Sequence, residues 1–387
     1  MTQPTRLPNL TQYERIAFDR EVNLADGHAH QRGDAAQREI TRRLPDLYEK
    51  SELSRQQDVE DVFKETFYRL AGQHSAIRHP HALLCYSASL SIDLVGAFLA
   101  NAGIRAGLLQ PCFDNLAALL VRRGVALTPV SEESVTGPHL ARLLAGADAP
   151  GALFLTLPNN PTGFTLDAAD FRRVVDVCAA TGTLLVIDWT FRFFGRGELW
   201  DQYAVLDRSG VSYLCIEDTG KTWPTLDVKC SILATSADVH EGLVELHNDV
   251  LLNVSPFVLT FLTAYLDDSA RRGLDASVRR LIRINRRALH RALDGSVLEP
   301  GAAERTISVE WIRIAAESPS SLEVVELLGG LGIAVVPGDH FYWHDRDLGS
   351  RYIRIALARD PVLFARACAG LRDAVRTLPQ LRGSDVP

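Results

Sequence analysis

From about Ala82 onward, short apolar runs alternate with segments whose apolar residues recur at helical spacing. Leu83 to Tyr86, Gly107 to Leu109, Ala152 to Leu157, Thr183 to Ile187, Tyr213 to Ile216 and Cys230 to Leu233 predict strands. Between them, Leu90 to Ala102, Asn115 to Arg123 and Asp167 to Thr181 predict helices, with Gly103 and Gly182 as stops. Such alternation predicts an α/β fold, a mostly parallel sheet covered by helices on both faces. Beyond His240 the pattern changes. A helical stretch from Gly273 to Leu293 carries Arg279, Arg280, Arg283, Arg286, Arg287 and Arg291. These read as the solvated side of an amphipathic connecting helix. Strands follow near Ile307 to Ile314, Ile333 to Val336 and Tyr352 to Leu357. The expected division is residues 1–40 as an N-terminal arm or lid, 41–293 as a large domain and 294–387 as a small C-terminal domain. Part of the N-terminal segment is expected to join the small domain, and residues 382–387 to form a frayed tail.

Composition narrows the function classes. The chain has 387 residues, 47% of them hydrophobic, enough for a large core and a second, smaller domain. A net charge of −7 with interspersed signs gives no footprint for nucleic acid or an anionic membrane. The six cysteines lie far apart, with no C-x-x-C, and are expected to be reduced core thiols. No run approaches the roughly 18 apolar residues of a membrane span, and the N-terminus lacks the apolar stretch of a signal peptide. The expected location is cytoplasmic.

Three stations carry chemistry: Pro158-Asn159-Asn160-Pro161-Thr162-Gly163 after an apolar strand, Asp188 ending the next, and Lys221 after the strand that follows. A strand-end aspartate is more often a cap, and a lone lysine means nothing. In this order they resemble the fold type I enzymes that use pyridoxal phosphate (PLP), the aspartate aminotransferase superfamily. That resemblance implies a large domain with a mostly parallel seven-stranded sheet, a smaller α/β domain, and a homodimer. PLP needs a lysine Schiff base, a carboxylate on its pyridine nitrogen, a phosphate cradle and a contact on its ring face. Lys221 fits the first, its pKa depressed by a neighbouring cation, for which Lys229 is the candidate. Asp188 fits the second. Ser87-Ala88-Ser89 opens a helix, where backbone N–H groups and hydroxyls suit a phosphate; simple N-capping is the bland alternative. Thr219 and Lys229 would complete the cradle, and Phe113 would stack on the ring unless it is core. The superfamily has an arginine at the Lys229 position and a tyrosine at that of Phe191. Since Phe191 cannot donate to the cofactor's phenolic oxygen, Asn160 becomes the main side-chain donor there. Arg354 matches the arginine that grips a substrate carboxylate.

Three further stretches are more particular: Asn9-Leu10-Thr11-Gln12-Tyr13-Glu14, Asn23-Leu24-Ala25-Asp26-Gly27-His28-Ala29, and Glu217 to Asp227. They resemble the PLP-dependent L-arginine oxidases and hydroxylases of enduracididine and azomycin biosynthesis, Phe191 and Lys229 included. The resemblance implies oxidation of L-arginine by O₂ without metal, flavin or haem. The products would be 4-hydroxy-2-oxoarginine or 2-oxoarginine, with ammonium and hydrogen peroxide. Independently, a guanidinium calls for carboxylates. Asp218, three residues before Lys221, is placed to face it, with Glu14 and Thr11 contributing if the N-terminal segment folds over the site. Either acid is otherwise a surface residue. His28 is the natural base for activating water, or else a turn residue. The pairs His28/His30 and His79/His81 lack a third ligand at metal spacing, so no metal is expected. The rival readings are a plain aminotransferase, an arginine cyclase of the capreomycidine type, and a PLP-fold sensor without turnover.

Overall fold

The computed structural model describes residues 9–195, 200–301, 306–316 and 318–377. The expected tail at 382–387 lies outside the described residues, as do residues 1–8.

Seven strands form the central sheet, in the spatial order Ala82–Cys85, Ser231–Thr235, Tyr213–Asp218, Leu184–Asp188, Ala152–Thr156, Ala106–Gln110, Leu127–Ser131. Ser231–Thr235 runs antiparallel to both neighbours, and the other pairings are parallel. The three central strands are buried along their whole length, as a sheet covered on both faces requires. Six of these strands follow the apolar runs. The seventh, Leu127–Ser131, was not among them, because it is an edge strand with a largely half-buried pattern and a proline at its centre. Proline is tolerated there since an edge strand need not donate on both sides.

The helices between the strands end where the glycines stand. Ala88–Asn101 is followed by Gly103 at φ 65°, and Ala168–Thr181 by Gly182 at φ 66°, a left-handed conformation that costs glycine little. Asp167 caps the second helix by accepting from the Ala169 and Asp170 N–H groups. Helices Ala35–Arg42, Leu44–Glu52 and Gln56–Leu70 precede the sheet, and all three touch the long helix Pro256–Arg272.

The C-terminal part carries a four-stranded antiparallel sheet, ordered Val336–Pro337, Tyr352–Ala356, Val309–Ile314, Leu298–Pro300. The N-terminal segment adds to this region: Val22–Asn23 pairs in parallel with Ile333–Ala334. Among the six arginines of the connecting stretch, Arg286 departs from the solvated face expected of it. It is 5% exposed and its Nε donates to Glu310 at 2.6 Å, with Nη2 donating to the Ile307 and Val309 carbonyls. A buried charge persists only with such partners, and the acid that holds it lies 24 residues away in sequence. The six cysteines are free and buried. No described helix is long and apolar enough to cross a membrane.

Candidate active site

Parallel pairing puts the C-terminal ends of neighbouring strands side by side, the edge at which α/β sheets present ligand groups. Thr156 stands opposite Asp188, and Asp188 opposite Ile216, two residues before Asp218. The loops leaving these ends carry Asn160, Phe191 and Lys221. Thr156, Asp188, Asn160, Phe191 and Lys221 line one cleft of about 630 Å³ of empty space with Ala88, Ser89, Phe113 and Arg354, together with Glu14 from the N-terminal helix Leu10–Ile16.

Asp188 is 6% exposed; its Oδ1 accepts from the Thr190 N–H at 2.8 Å and hydroxyl at 2.5 Å. Burial raises its pKa, opposed by the Thr190 hydrogen bonds and by the charge on Lys221. A cationic ring nitrogen would complete that opposition. Asn160 Oδ1 accepts from Arg354 Nη1 at 3.3 Å, so the amide nitrogen is the atom left to donate into the cleft. The turn carrying Asn160 is set by its neighbour. Asn159 is fully buried, and its amide donates to the Pro111 carbonyl at 2.7 Å and to Glu132 Oε1 at 2.7 Å.

Lys221 has its pKa lowered by burial first, with Arg354 as the cation acting in the same direction and Glu14, Asp26 and Asp218 opposing. That corrects the sequence reading, which gave the depressing charge to Lys229. Lys229 stands 3.8 Å from Asp227. A Cβ at Gly220 would fall 2.9 Å from the Lys229 chain and 3.0 Å from Asp218, so a side chain there would have to displace one or both. The loop then turns through Leu226 at φ 53° and Asp227 at φ 65°, conformations that L side chains seldom adopt.

The phosphate candidates separate. Ser87 caps the helix Ala88–Asn101, its hydroxyl accepting from the Leu90 N–H at 3.2 Å, while Ser89 is exposed beside Asn115. The Thr219 hydroxyl is engaged by the backbone of Cys230, donating at 3.1 Å and accepting at 2.9 Å. Phe113 lines the cleft with the Arg354 guanidinium 5.7 Å from its ring centre.

Charged groups gather around Lys221. Arg354 is fully buried; it donates to Glu14 Oε1 at 2.9 Å and to the Ala25 carbonyl, and its Nε has no hydrogen-bond partner. Asp218 is 4% exposed, its Oδ2 accepting from the Gly220 N–H at 2.7 Å. Asp218 Oδ1 is buried without a partner, and burial pushes the carboxyl up to about 6. Thr11 is exposed on the same helix that buries Glu14, outside the cleft-lining set.

His28 lies against Lys221, with both ring nitrogens within 3.2 Å of Nζ. Its Nδ1 is 2.6 Å from Asp26 Oδ1, and Asp26 Oδ2 is 2.5 Å from His30 Nε2. Asp26 is thus the third group that the His28/His30 pair lacked in the sequence reading, and the three stand close enough to surround a cation. Sequence reasoning missed Asp26, and with it Thr190, Glu132 and Arg359, whose guanidinium clasps the Asn23, Asp26 and His28 carbonyls. The Asp-x-His-x-His spacing was the visible signal for Asp26. Nothing local marked the others.

The aminotransferase class I and II profile matches residues 20–371. The chain belongs to the class I and II aminotransferase family. Its cofactor is PLP, and the residues fit: Lys221, the buried Asp188 at a strand end, and Ala88 and Ser89 of the helix-opening Ser-Ala-Ser line one cleft. Among solved structures, MppP soaked with the product 2-ketoarginine is 35% identical with a TM-score of 0.86, covering 91% of this chain and 99% of that one. The aspartate aminotransferase of Thermus thermophilus with maleate has a TM-score of 0.77 at 16% identity, covering 95% and 97%, and shows the fold alone. Among curated proteins, the histidinol-phosphate aminotransferase of Deinococcus radiodurans is 29% identical over 168 residues, a match spanning 42% of each chain.

Proposed function

We propose that this family member oxidises L-arginine with O₂, releasing ammonium, hydrogen peroxide and 4-hydroxy-2-oxoarginine or 2-oxoarginine. Each 2-oxoarginine consumes one O₂ and one water and yields one peroxide; the 4-hydroxylated product consumes two of each and yields two peroxides. The observation that carries the substrate assignment is Asp218 Oδ1, a buried acceptor with no hydrogen-bond partner at the end of the strand next to that of Asp188, with the fully buried Arg354 lining the cleft. A guanidinium supplies that partner, and a carboxylate at the other end of the same molecule suits Arg354. The likeness to MppP, solved with 2-ketoarginine, supports the same substrate class.

PLP, when bound, supplies the electron sink for the bond broken at the α-carbon. The chain's own groups do the rest. Lys221 moves the α-proton, Asp188 holds the proton on the ring nitrogen, Asn160 donates to the phenolic oxygen in place of the hydroxyl that Phe191 lacks, and Phe113 covers the ring. Ser87, Ala88 and Ser89 hold the phosphate, with Thr219 and Lys229 beside them. Glu14 and Thr11 would reach the guanidinium end once Glu14 releases Arg354. His28 activates water for the 4-hydroxyl. The assembly is taken as a homodimer, with residues 1–40 covering the site, 41–293 as the PLP-binding domain and 294–387 as the small domain.

Incubation of the holoenzyme with L-arginine, with and without O₂ and with no keto-acid acceptor, tests this reading. Continued turnover with O₂ consumption is expected. A plain aminotransferase would stop after one half-turnover, and a capreomycidine-type cyclase would release a ring.

A further inference from the structure

Two imidazoles, one carboxylate and the amine of Lys221 form a continuous polar chain from the edge of the molecule into the cleft. Its hub is Asp26, 2% exposed, which spends one oxygen on each histidine. Oδ1 also accepts from the His28 backbone N–H at 2.9 Å, closing a tight turn around the first contact. Arg359, 3% exposed, fixes the backbone on both sides by donating to the Asp26 and His28 carbonyls. The hub is therefore held independently of any ligand.

We propose that Asp26 is the positioning residue for His28: its carboxylate holds the proton on Nδ1 and so leaves the Nε2 lone pair free beside Lys221, while His30 fixes the carboxylate's second oxygen. The argument is one of donors and acceptors. An ionised carboxylate only accepts, so each ring nitrogen at 2.6 and 2.5 Å must be the one carrying hydrogen. A neutral imidazole has one N–H, so placing it on Nδ1 strips Nε2. Lys221 Nζ stands 3.1 Å from Nε2 and 3.2 Å from Nδ1, so the Asp26 contact decides between them and makes Nε2 the atom able to take a proton from water.

The charges around the pair support that protonation state. Burial alone would raise the Asp26 pKa; hydrogen bonds from His28 and His30, and the Lys221 charge, outweigh it and hold the carboxyl far below its usual range. His28 is pulled down by burial and by Lys221, against Asp26 and Asp227, the latter 3.5 Å from Nε2. A neutral ring beside an ionised carboxylate is the arrangement in which tautomer is decided by hydrogen bonding, as in the serine-protease triad. This assignment rests on His28 acting on water, and its test separates the two.

In ¹⁵N-histidine-labelled holoenzyme above the imidazole titration, wild-type His28 should show a protonated Nδ1 and a bare Nε2. Asp26→Asn keeps the shape but offers one acceptor and one NH₂, so it cannot accept from both rings; the His28 signal should shift toward the other tautomer. With arginine, 4-hydroxy-2-oxoarginine formation should fall about 10²–10⁴-fold, the range general-base assistance is worth, while O₂ consumption persists. Adding Asp26→Asn to His28→Ala should lower hydroxylation no further. A merely structural Asp26 would move the melting temperature but not the tautomer. A bare Nδ1 in the wild type would overturn the proposal even if no variant folds. So would an equal loss on adding Asp26→Asn to His28→Ala, or a stoichiometric divalent ion replacing the two protons. If wild type makes no hydroxylated product, the functional reading fails while the NMR result still decides Asp26.

Discussion

The floor and the cover of the cleft are built differently. The floor has Asp188 and Asp218 closing two of three adjacent strands buried along their whole length, positioned by register, with Asn160 and Lys221 on the loops just beyond. The cover, Glu14 on the short helix Leu10–Ile16 with Asp26 and His28 on the irregular segment after it, is held to the C-terminal part by a two-residue strand pair and by the clasp of Arg359. A register-fixed floor suits the cofactor chemistry that the whole family shares. A cover assembled from long-range side-chain contacts is where one member can differ from another without disturbing that chemistry.

Substitutions on the floor should therefore fail early and those on the cover should redirect. Lys221→Ala should abolish turnover altogether, with PLP still bound weakly through its phosphate contacts; an oxygen electrode and the loss of the Schiff-base absorbance check it. Asp218→Asn should weaken arginine binding by about 2–5 kcal/mol, the usual cost of truncating one side of a buried charge pair, and leave PLP loading nearly intact. Calorimetric titration with arginine reads that loss, and normal binding would place the guanidinium elsewhere.

The same aspartate predicts a pH dependence. Burial pushes its carboxyl up to about 6, and only the ionised form attracts a cation. Arginine binding must then expel a proton below that pH, so affinity should rise with pH up to about 6 and level off above it. Burial also pushes the Asp114 carboxyl up to about 6, while its Oδ2 accepts from the Leu10 N–H at 3.0 Å. The part of the slope lost in Asp218→Asn isolates Asp218 from it. The smallest effect belongs to Ser89→Ala, which removes one exposed hydroxyl from the phosphate end. It should cost PLP affinity about tenfold at most, the worth of a single hydrogen bond, and leave the product ratio unchanged.

The same division explains what could be read in advance. Asp188, Asn160 and Lys221 were legible because each closes or follows an apolar run, and strand pairing carries sequence order directly into space. Leu127–Ser131 was not, since an edge strand with Pro129 lacks the apolar signature. On the cover, His28 was legible as a residue type near its useful pKa, but its setting was not. The contact of Glu14 with Arg354 spans 340 residues, and the clasp of Arg359 on Asp26 spans 333. Nor does any local pattern announce a left-handed Leu226 and Asp227, which bring Asp227 to 3.5 Å from His28. The buried Arg286 was misread for the same reason: its acid lies on another element.

The central claim is that the cover performs a water step separate from the proton chemistry of the floor, and His28→Ala tests it most directly. The variant should still consume O₂ with arginine, while mass spectrometry shows its product shifting from 4-hydroxy-2-oxoarginine to 2-oxoarginine, the hydroxylation falling about 10²–10⁴-fold. In ¹⁸O-labelled water the wild-type 4-hydroxyl should carry the label. An unchanged product ratio in the variant, or an unlabelled hydroxyl in the wild type, would contradict the account.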